Sequence, residues 1–241
     1  PVILGEKGTK KLSKRDGAKD LLEYREEGYL PEAMVNFLAL LGWHPEGDNE
    51  ILSREELIAS FDLSRVQKGG ARFDEEKLLH LNREWMRKLS DEDYAARLKK
   101  KGPKVLATVH ILKERATTFS EADALLEGEL ACLFTAPTLD SMKLLMKEPE
   151  QGFTKTALES VLTTIEGLMD GVSADTAKEV LMSLADAEEG KRKGGRGAVL
   201  WPLRYALSGQ EKSPDPFTLV SILGPAESTS RIKTALDILS K

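Results

Sequence analysis

Cysteine is nearly absent from the sequence, since Cys132 is the only one among 241 residues. An intrachain disulfide and a zinc site built from several cysteines are therefore excluded, which fits a reducing compartment. No run approaches the roughly 20 apolar residues needed to cross a bilayer, and the chain does not open like a secretion signal. We therefore expect a cytoplasmic location and no membrane partner. Cys132, between Ala131 and Leu133, is expected to be a small buried side chain.

An excess of positive charge is also lacking, because the formal net charge is −5. Proteins that bind nucleic acid without regard to sequence usually carry an excess of Lys and Arg, since their phosphate contacts release counterions. Any RNA-binding surface of this chain must therefore be local. Three basic clusters could provide one, although each taken alone is more typical of a solvated face or loop: Lys7, Lys10, Lys11, Lys14 and Arg15; Arg97, Lys99, Lys100, Lys101 and Lys104; and Lys191, Arg192, Lys193 and Arg196.

Alternating strand patterns are missing, apart from the strand-like run at residues 1–4. Apolar residues recur instead at helical spacing, where positions i, i+3, i+4 and i+7 share one face. The spacing predicts an all-α fold whose apolar stripes form the core. The stripes are Met34, Phe37, Leu38 and Leu41; Leu158, Val161, Leu162 and Ile165; Ala177, Val180, Leu181 and Leu184; and Ile232, Ala235, Leu236 and Leu239.

Local signals mark where helices begin and where the chain divides. Ser53 followed by Glu56 resembles a capping box, and Pro103 suits a first helical turn. Polar breaks at residues 90–93 and 149–152 interrupt the helical pattern. They predict three units, at residues 1–89, 90–149 and 150–241.

Two glycine-bracketed basic segments could close on phosphates. Residues 188–197 lack the Lys-Ser or Lys-Thr ending and the preceding strand of a phosphate-binding loop, so a mobile solvent loop is favoured there. Residues 8–18 pack more cations between their glycines. Lysines are compact charges that can follow a polyphosphate during reaction, and Ser13 adds a hydroxyl donor. A charged surface turn is the alternative for this second segment.

The segment Lys11-Leu12-Ser13-Lys14-Arg15 resembles the Lys-Met-Ser-Lys-Ser signature of class I aminoacyl-tRNA synthetases, in the form common among glutamyl enzymes. Similarity to the bacterial-type glutamyl-tRNA synthetases then continues in order along the chain. The matching segments are 28–33, 36–43, 61–66, 71–74, Lys77-Leu78 to Asn82, 201–204, 206–209, 223–224 and Arg231-Ile232. Together they identify the chain as similar to the C-terminal half of that family.

This resemblance implies an all-α architecture: a helical stem-contact unit followed by an α-helical anticodon-binding domain made of two small bundles. Residues 1–89 would comprise a residual strand and loop of the catalytic domain plus the stem-contact unit. Residues 90–149 and 150–241 would form the two anticodon-binding subdomains. The partner implied is the tRNA for glutamate, bound by a monomer.

The resemblance also assigns roles to the basic loop. Lys11 and Lys14 would act in catalysis by stabilising pyrophosphate departure, and together with Ser13 and Arg15 they would hold the phosphates of Mg-bound ATP. The other class I signature, His-Ile-Gly-His, is missing, because His110-Ile111 is followed by Leu and Lys. We therefore expect a fragment that binds tRNA but does not aminoacylate alone, since ATP and glutamate need the missing catalytic domain. The three histidines show no metal-ligand spacing, so no metal site is expected.

Four basic residues are candidates for tRNA contact. Lys68 and Arg72, in the polar turn 67–72, suit backbone phosphates, although a solvated turn is an even alternative. Arg204 and Arg115 suit unstacked anticodon bases, which proteins bind by stacking and edge hydrogen bonds; Arg204 could equally cap or bridge helices. Whether glutamate and glutamine tRNAs are discriminated stays open. A helical protein-interaction module without RNA or nucleotide function is the alternative for the whole chain.

Overall fold

The computed structural model describes residues 3–5, 11–13 and 19–241. Helices account for most of them, which confirms the all-α prediction. The chain folds as two compact units, Pro1–Ala124 and Leu125–Lys241, called here the first and second units. The three-way division at residues 1–89, 90–149 and 150–241 stays a prediction.

The first unit combines short helices with two very short strands. The helices begin where capping chemistry predicts: Ser53 and Glu56 form the capping box, and Pro103 occupies the first turn of its helix. In chain order the elements are β1 (Ile3–Leu4), α1 (Leu21–Glu26), α2 (Pro31–Leu40), α3 (Arg54–Ser60), a 3₁₀ turn (Leu63–Arg65), β2 (Ala71–Arg72), α4 (Glu75–Lys88), α5 (Asp91–Arg97), α6 (Pro103–Arg115) and α7 (Phe119–Glu127), within which the unit ends.

The core of the first unit forms where α2 packs against α4. Its buried side chains are Tyr24, Met34, Phe37, Leu40, Phe73, Leu78 and Leu81. The prediction that Leu38 belongs to the core is wrong, because its side chain is 46% exposed. The buried face of α2 is rotated toward Asn36, which is fully buried and has its amide hydrogen-bonded to the carbonyl of Glu50.

Two buried amide side chains tie loops of the first unit to its helices. Asn36 donates to the carbonyl of Glu50 (2.9 Å) and accepts from the backbone N–H of Leu52 (3.1 Å). Asn82 accepts from the N–H of Leu30 (2.8 Å) and donates to the carbonyl of Thr117 (2.6 Å). Each amide therefore satisfies backbone groups that no helix or strand pairs.

The second unit is built around one buried helix. Its elements are a 3₁₀ turn (Ala131–Leu133), α8 (Ser141–Leu144), α9 (Gln151–Glu166), α10 (Ala174–Asp186), α11 (Gly197–Ser208) and α12 (Pro216–Ile238). Helix α11 packs on α8, α9, α10 and α12, and between Ala198 and Ser208 only Leu200 and Arg204 are partly exposed. Helix α12 is interrupted at Gly224, whose φ of 78° is open to glycine but strained for other residues.

A buried arginine joins the parts of the second unit. Arg231 is 4% exposed, and its guanidinium donates to the carbonyl oxygens of Cys132 (2.7 Å) and Leu207 and pairs with Glu227. The predicted burial of Cys132 is confirmed. None of the helices in the described ranges combines the length and the apolar composition of a membrane span.

Candidate functional site

The two strands of the first unit place predicted site residues side by side. β1 pairs with β2 in parallel, with Leu4 opposite Arg72, and on its other side Leu4 forms an antiparallel bridge with Lys11. Paired residues point to the same face of a ladder and neighbouring strands lie about 4.8 Å apart. Lys11 and Arg72, both exposed, therefore flank Leu4 on one face.

Only part of the predicted phosphate loop can be placed. Lys11 is exposed and Ser13 is half-buried, and the N–H of Leu12 donates to the carbonyl of Ile3 at 2.9 Å. Lys14 and Arg15 lie outside the described residues. The structure therefore positions the start of the loop against β1.

Lys68 lies in an exposed loop that leads into β2. The loop is anchored at its start, where the N–H of Gln67 donates to the carbonyl of Gly42 at 2.8 Å. Arg72 belongs to β2 and not to the turn in which the sequence placed it. Strand β2 forms because it pairs with β1, and a strand of two residues is too short to produce an alternating pattern in the sequence. Lys68 and Arg72 both remain exposed.

Arg115 is the exposed last residue of α6, and two arginines of α4 lie at the same helix end. Arg83 donates to the carbonyl of Glu114 (2.6 Å) and Arg87 to that of Lys113 (3.3 Å). Cations at a helix C-terminus satisfy its last carbonyls and oppose its dipole. Sequence reasoning missed Arg83 and Arg87, although their i, i+4 spacing puts both on one helix face.

Arg204 ties α11 to the loop that follows it, while its predicted contact with anticodon bases stays a prediction. Its Nη2 donates to the carbonyl of Glu211 at 2.8 Å, and its guanidinium carbon lies 4.8 Å from the centroid of the Trp201 ring. Trp201 is 9% exposed, and its Nε1 donates to the carbonyl of Lys143 at 2.7 Å. The ring also stacks on Tyr205, with centroids 6.5 Å apart. Arg204 thus rests on a fixed aromatic support.

Two lysines outside the predicted basic clusters complete this surface. The ammonium of Lys147 lies 5.9 Å from the Trp201 centroid, and that of Lys143 lies 2.7 Å from the Glu211 carboxylate. Their hydrogen bond raises the pKa of Lys143 and lowers that of Glu211. The sequence offered no signal for these lysines, because the packing of α8 on α11 brings them to Arg204. We call Lys143, Lys147, Trp201, Arg204 and Glu211 the Trp201 surface.

The glycine-rich segment 188–197 is attached to the second unit. Arg192 lies 3.6 Å from the centroid of the Phe153 ring and pairs with Glu150 at 2.7 Å, while Arg196 pairs with Asp186. Two of its four cations are thus held by carboxylates of the unit itself. This arrangement suits neither a loop free in solvent nor a phosphate cradle.

Two tryptophans of the first unit are held within its packing. Trp43 is 2% exposed, and Trp85 is half-buried with its Nε1 donating to Asn36 Oδ1 at 3.1 Å. Within residues 3–5, 11–13 and 19–241, no group of three or more His, Cys, Asp or Glu side chains could hold a metal ion.

Comparison with known families identifies the architecture. The family model for the anticodon binding domain matches residues 77–236, and the model for the catalytic domain of class I tRNA synthetases (E and Q) matches residues 2–80. The first match covers more than half of the chain, so the chain belongs to the anticodon-binding domain family.

Curated relatives and solved structures narrow the similarity to glutamate–tRNA ligases. The chain is 37% identical to that of Flavobacterium johnsoniae and 39% identical to glutamate–tRNA ligase 1 of Gluconobacter oxydans, over 99% and 98% of its length. A glutamate tRNA ligase structure from Elizabethkingia meningosepticum, in complex with its amino acid, superposes with a TM-score of 0.75 at 34% identity and covers 99% of the chain. In each case the chain spans 50% of the other protein.

Proposed function

We propose that this chain is the tRNA-binding portion of a glutamate–tRNA ligase, the enzyme that attaches glutamate to its tRNA through an ATP-derived glutamyl-adenylate. The observation that carries the proposal is the similarity to glutamate–tRNA ligases over 98–99% of the chain, which includes the anticodon-binding match at residues 77–236. The partner is the tRNA for glutamate.

The exposed cations supply the electrostatic part of binding. Lys68 and Arg72 contact backbone phosphates, which position an RNA without reading its sequence. Their exposure and their place at β2 support this role. The net charge of −5 makes the attraction local to such surfaces, because the chain as a whole repels a polyanion.

Base contacts are assigned to Arg204 and Arg115. A guanidinium that rests on an indole offers its other plane to an unstacked base, and RNA-binding proteins stack bases on guanidinium planes in this way. Trp201 provides that support for Arg204 at 4.8 Å. Arg115 lies among other arginines at the end of α6, where an anion or base edge meets concentrated positive charge.

The phosphate loop belongs to the adenylate-forming reaction of the whole enzyme. Lys11 and Ser13, with Lys14 and Arg15, hold the ATP phosphates, and Lys11 and Lys14 stabilise the departing pyrophosphate. The exposed ammonium of Lys11 fits a polyphosphate ligand. Magnesium arrives with ATP and is bound by its phosphates.

A binding titration tests the RNA proposal. The purified chain is titrated with a glutamate tRNA transcript and an unrelated tRNA at several salt concentrations. We expect preference for the glutamate tRNA and an affinity that falls as salt rises, since phosphate contacts release counterions. Absence of binding to either RNA at low salt would reject the proposal.

Variants assign the two kinds of contact. Arg204→Ala should weaken binding of the glutamate tRNA about 10-fold or more, as expected for loss of a base contact. Lys68→Gln should weaken both RNAs equally and make the salt slope shallower by roughly 0.9. Pyrophosphate exchange with ATP and glutamate should be undetectable for the chain alone.

One observation favours the second candidate function, a protein-interaction module. An apolar groove of about 430 Å³ runs beside α1 and α2 in the first unit. Its walls include Leu21, Leu22 and Val35, which are 66%, 62% and 51% exposed. Such a groove suits an apolar protein segment. If Leu22→Lys abolished capture of a protein while tRNA binding was absent, this second function would replace the first.

A further inference from the structure

Glu211 holds two cations of the Trp201 surface at once. Its backbone carbonyl accepts from Arg204 at 2.8 Å, and its carboxylate pairs with the Lys143 ammonium at 2.7 Å. Both members of the pair are at the surface, with side chains 45% and 53% exposed. An acidic group therefore stands among the cations that surround Arg204, the residue of this surface that is assigned to RNA binding.

A carboxylate in this place has two effects on an approaching RNA. It neutralises Lys143, so that a phosphate must displace Glu211 before it gains this contact. It also repels phosphates that approach Arg204 or Lys147. Both effects oppose an RNA that offers only backbone charge, whereas base contacts at Arg204 remain available. Opposing the wrong partner is a recognised way to gain specificity.

We propose that Glu211 is a specificity-determining residue for RNA binding: it withholds Lys143 from backbone phosphates, so that binding at the Trp201 surface depends on base contacts. This inference rests on the proposed tRNA-binding function. Under this inference, the carboxylate of Glu211 helps the chain to select RNAs according to their bases. The simpler reading, in which the ion pair only ties down the loop after α11, makes different predictions.

The test is Glu211→Gln, which removes the charge and keeps the backbone carbonyl that Arg204 uses. The ion pair Glu166–Lys233 in the same unit provides a matched control, with N and O atoms 2.9 Å apart and side chains about half exposed. Glu211→Gln and Glu166→Gln are titrated with the glutamate tRNA and with an unrelated tRNA. Circular dichroism on heating verifies that both variants are folded.

We expect Glu211→Gln to raise the affinity for the unrelated tRNA roughly 3- to 10-fold at low salt and to steepen its salt slope by about 0.7–0.9, as one new phosphate contact should. Affinity for the glutamate tRNA should change less than about 2-fold, because base contacts at Arg204 already fix its position and one further phosphate contact matters less to it. Glu166→Gln should change neither. Adding Lys143→Gln to Glu211→Gln should return the unrelated tRNA to its original affinity, because the released cation is then gone.

Three outcomes would overturn the inference while leaving the proposed function intact. Equal gains for both RNAs would mean a general field effect without selection. Unchanged binding of both RNAs would mean that the Lys143–Glu211 ion pair only fixes the loop after α11. A loss of glutamate tRNA binding together with a lower melting temperature would mean the same. If the unmodified chain bound no RNA, the proposed function and this inference would both fail.

Discussion

Both units contain buried polar backbone groups that need hydrogen-bond partners, and each unit pairs them with a different type of side chain. In the first unit the amide side chains of Asn36 and Asn82 bond to loop backbone. In the second unit the hydrogen-bond partner is a cation, because Arg231 donates to the carbonyl oxygens of Cys132 and Leu207.

The difference follows from the kind of backbone each unit leaves unpaired. Helices α1, α3 and α5 of the first unit have only 6 or 7 residues, so much of its chain is loop with both donors and acceptors to satisfy. A side-chain amide offers one of each. Arg231 bonds only to acceptors, the carbonyls of Cys132 and Leu207 and the carboxylate of Glu227, and a guanidinium provides only donors. Loops that leave both donors and acceptors unpaired are therefore bonded by amides, whereas buried groups that only accept are bonded by a cation.

The largest expected effect is in the second unit. Arg231→Met removes the donors and leaves buried carbonyls unpaired, so the free energy of unfolding should fall by about 3–5 kcal/mol. Hydrogen exchange followed by mass spectrometry should show the loss in peptides from α11 and α12. Lys233→Met, on the same helix, breaks an exposed ion pair and should cost at most about 1 kcal/mol. Similar losses for the two variants would contradict the role given to Arg231.

The first unit should respond to Asn82→Ala. The fully buried amide of Asn82 leaves the N–H of Leu30 and the carbonyl of Thr117 without partners when it is removed, which should cost about 2–4 kcal/mol. Exchange should accelerate in peptides from α2 and α4. Asn49→Ala is the control, since Asn49 makes one exposed bond to the N–H of Ile51 at 3.1 Å. If exchange in the second unit rose equally, the two units would unfold as one.

The fold class was predictable because helical periodicity and capping depend on neighbouring residues. In the predicted core stripe Leu158, Val161, Leu162 and Ile165, all but the half-buried Leu162 are fully buried, and Ser53 caps α3. The prediction for Leu38 was wrong because buried Asn36, a polar residue, rotates the inward face of α2. Spacing alone carries no information about a hydrogen bond to a loop 14 residues away.

The residues of the candidate site also differ in whether neighbouring residues in the sequence predict them. Arg204 could be selected from its local motif, and the family match supports the choice of region. Lys143 and Lys147 could not, because they reach the Trp201 surface through the packing of α8 on α11. Arg72 shows the same limit, since its strand exists only through pairing with β1. Residues that are brought together only by tertiary packing produce no periodic pattern in the sequence.

The smallest expected effect concerns buried tyrosines. It does not change stability at neutral pH, and it again distinguishes the first unit from the second. Burial raises the pKa of Tyr29 to about 12. It also raises the pKa values of Tyr24, where the neighbouring Glu75 contributes, and of Tyr94. All three lie in the first unit. An unfolded chain releases these protons near pH 10, so their contribution to stability is complete below pH 10 and is lost as pH rises through the raised pKa values, of which that of Tyr29 is about 12. The urea midpoint of the first unit should therefore fall above pH 10.

NMR of chains labelled at the tyrosine ring carbon Cζ would follow each residue separately, with Glu75→Gln as the control variant. Tyr24 donates to Glu75 Oε1 at 3.2 Å, so removing that charge should lower the pKa of Tyr24. The pKa of Tyr94 should stay where it is, because the carboxylates that raise it are Asp123 and Glu121. Titration of all three near pH 10 would mean that these rings are not buried. The view of the first unit as a tightly tied set of short helices would then have to be abandoned.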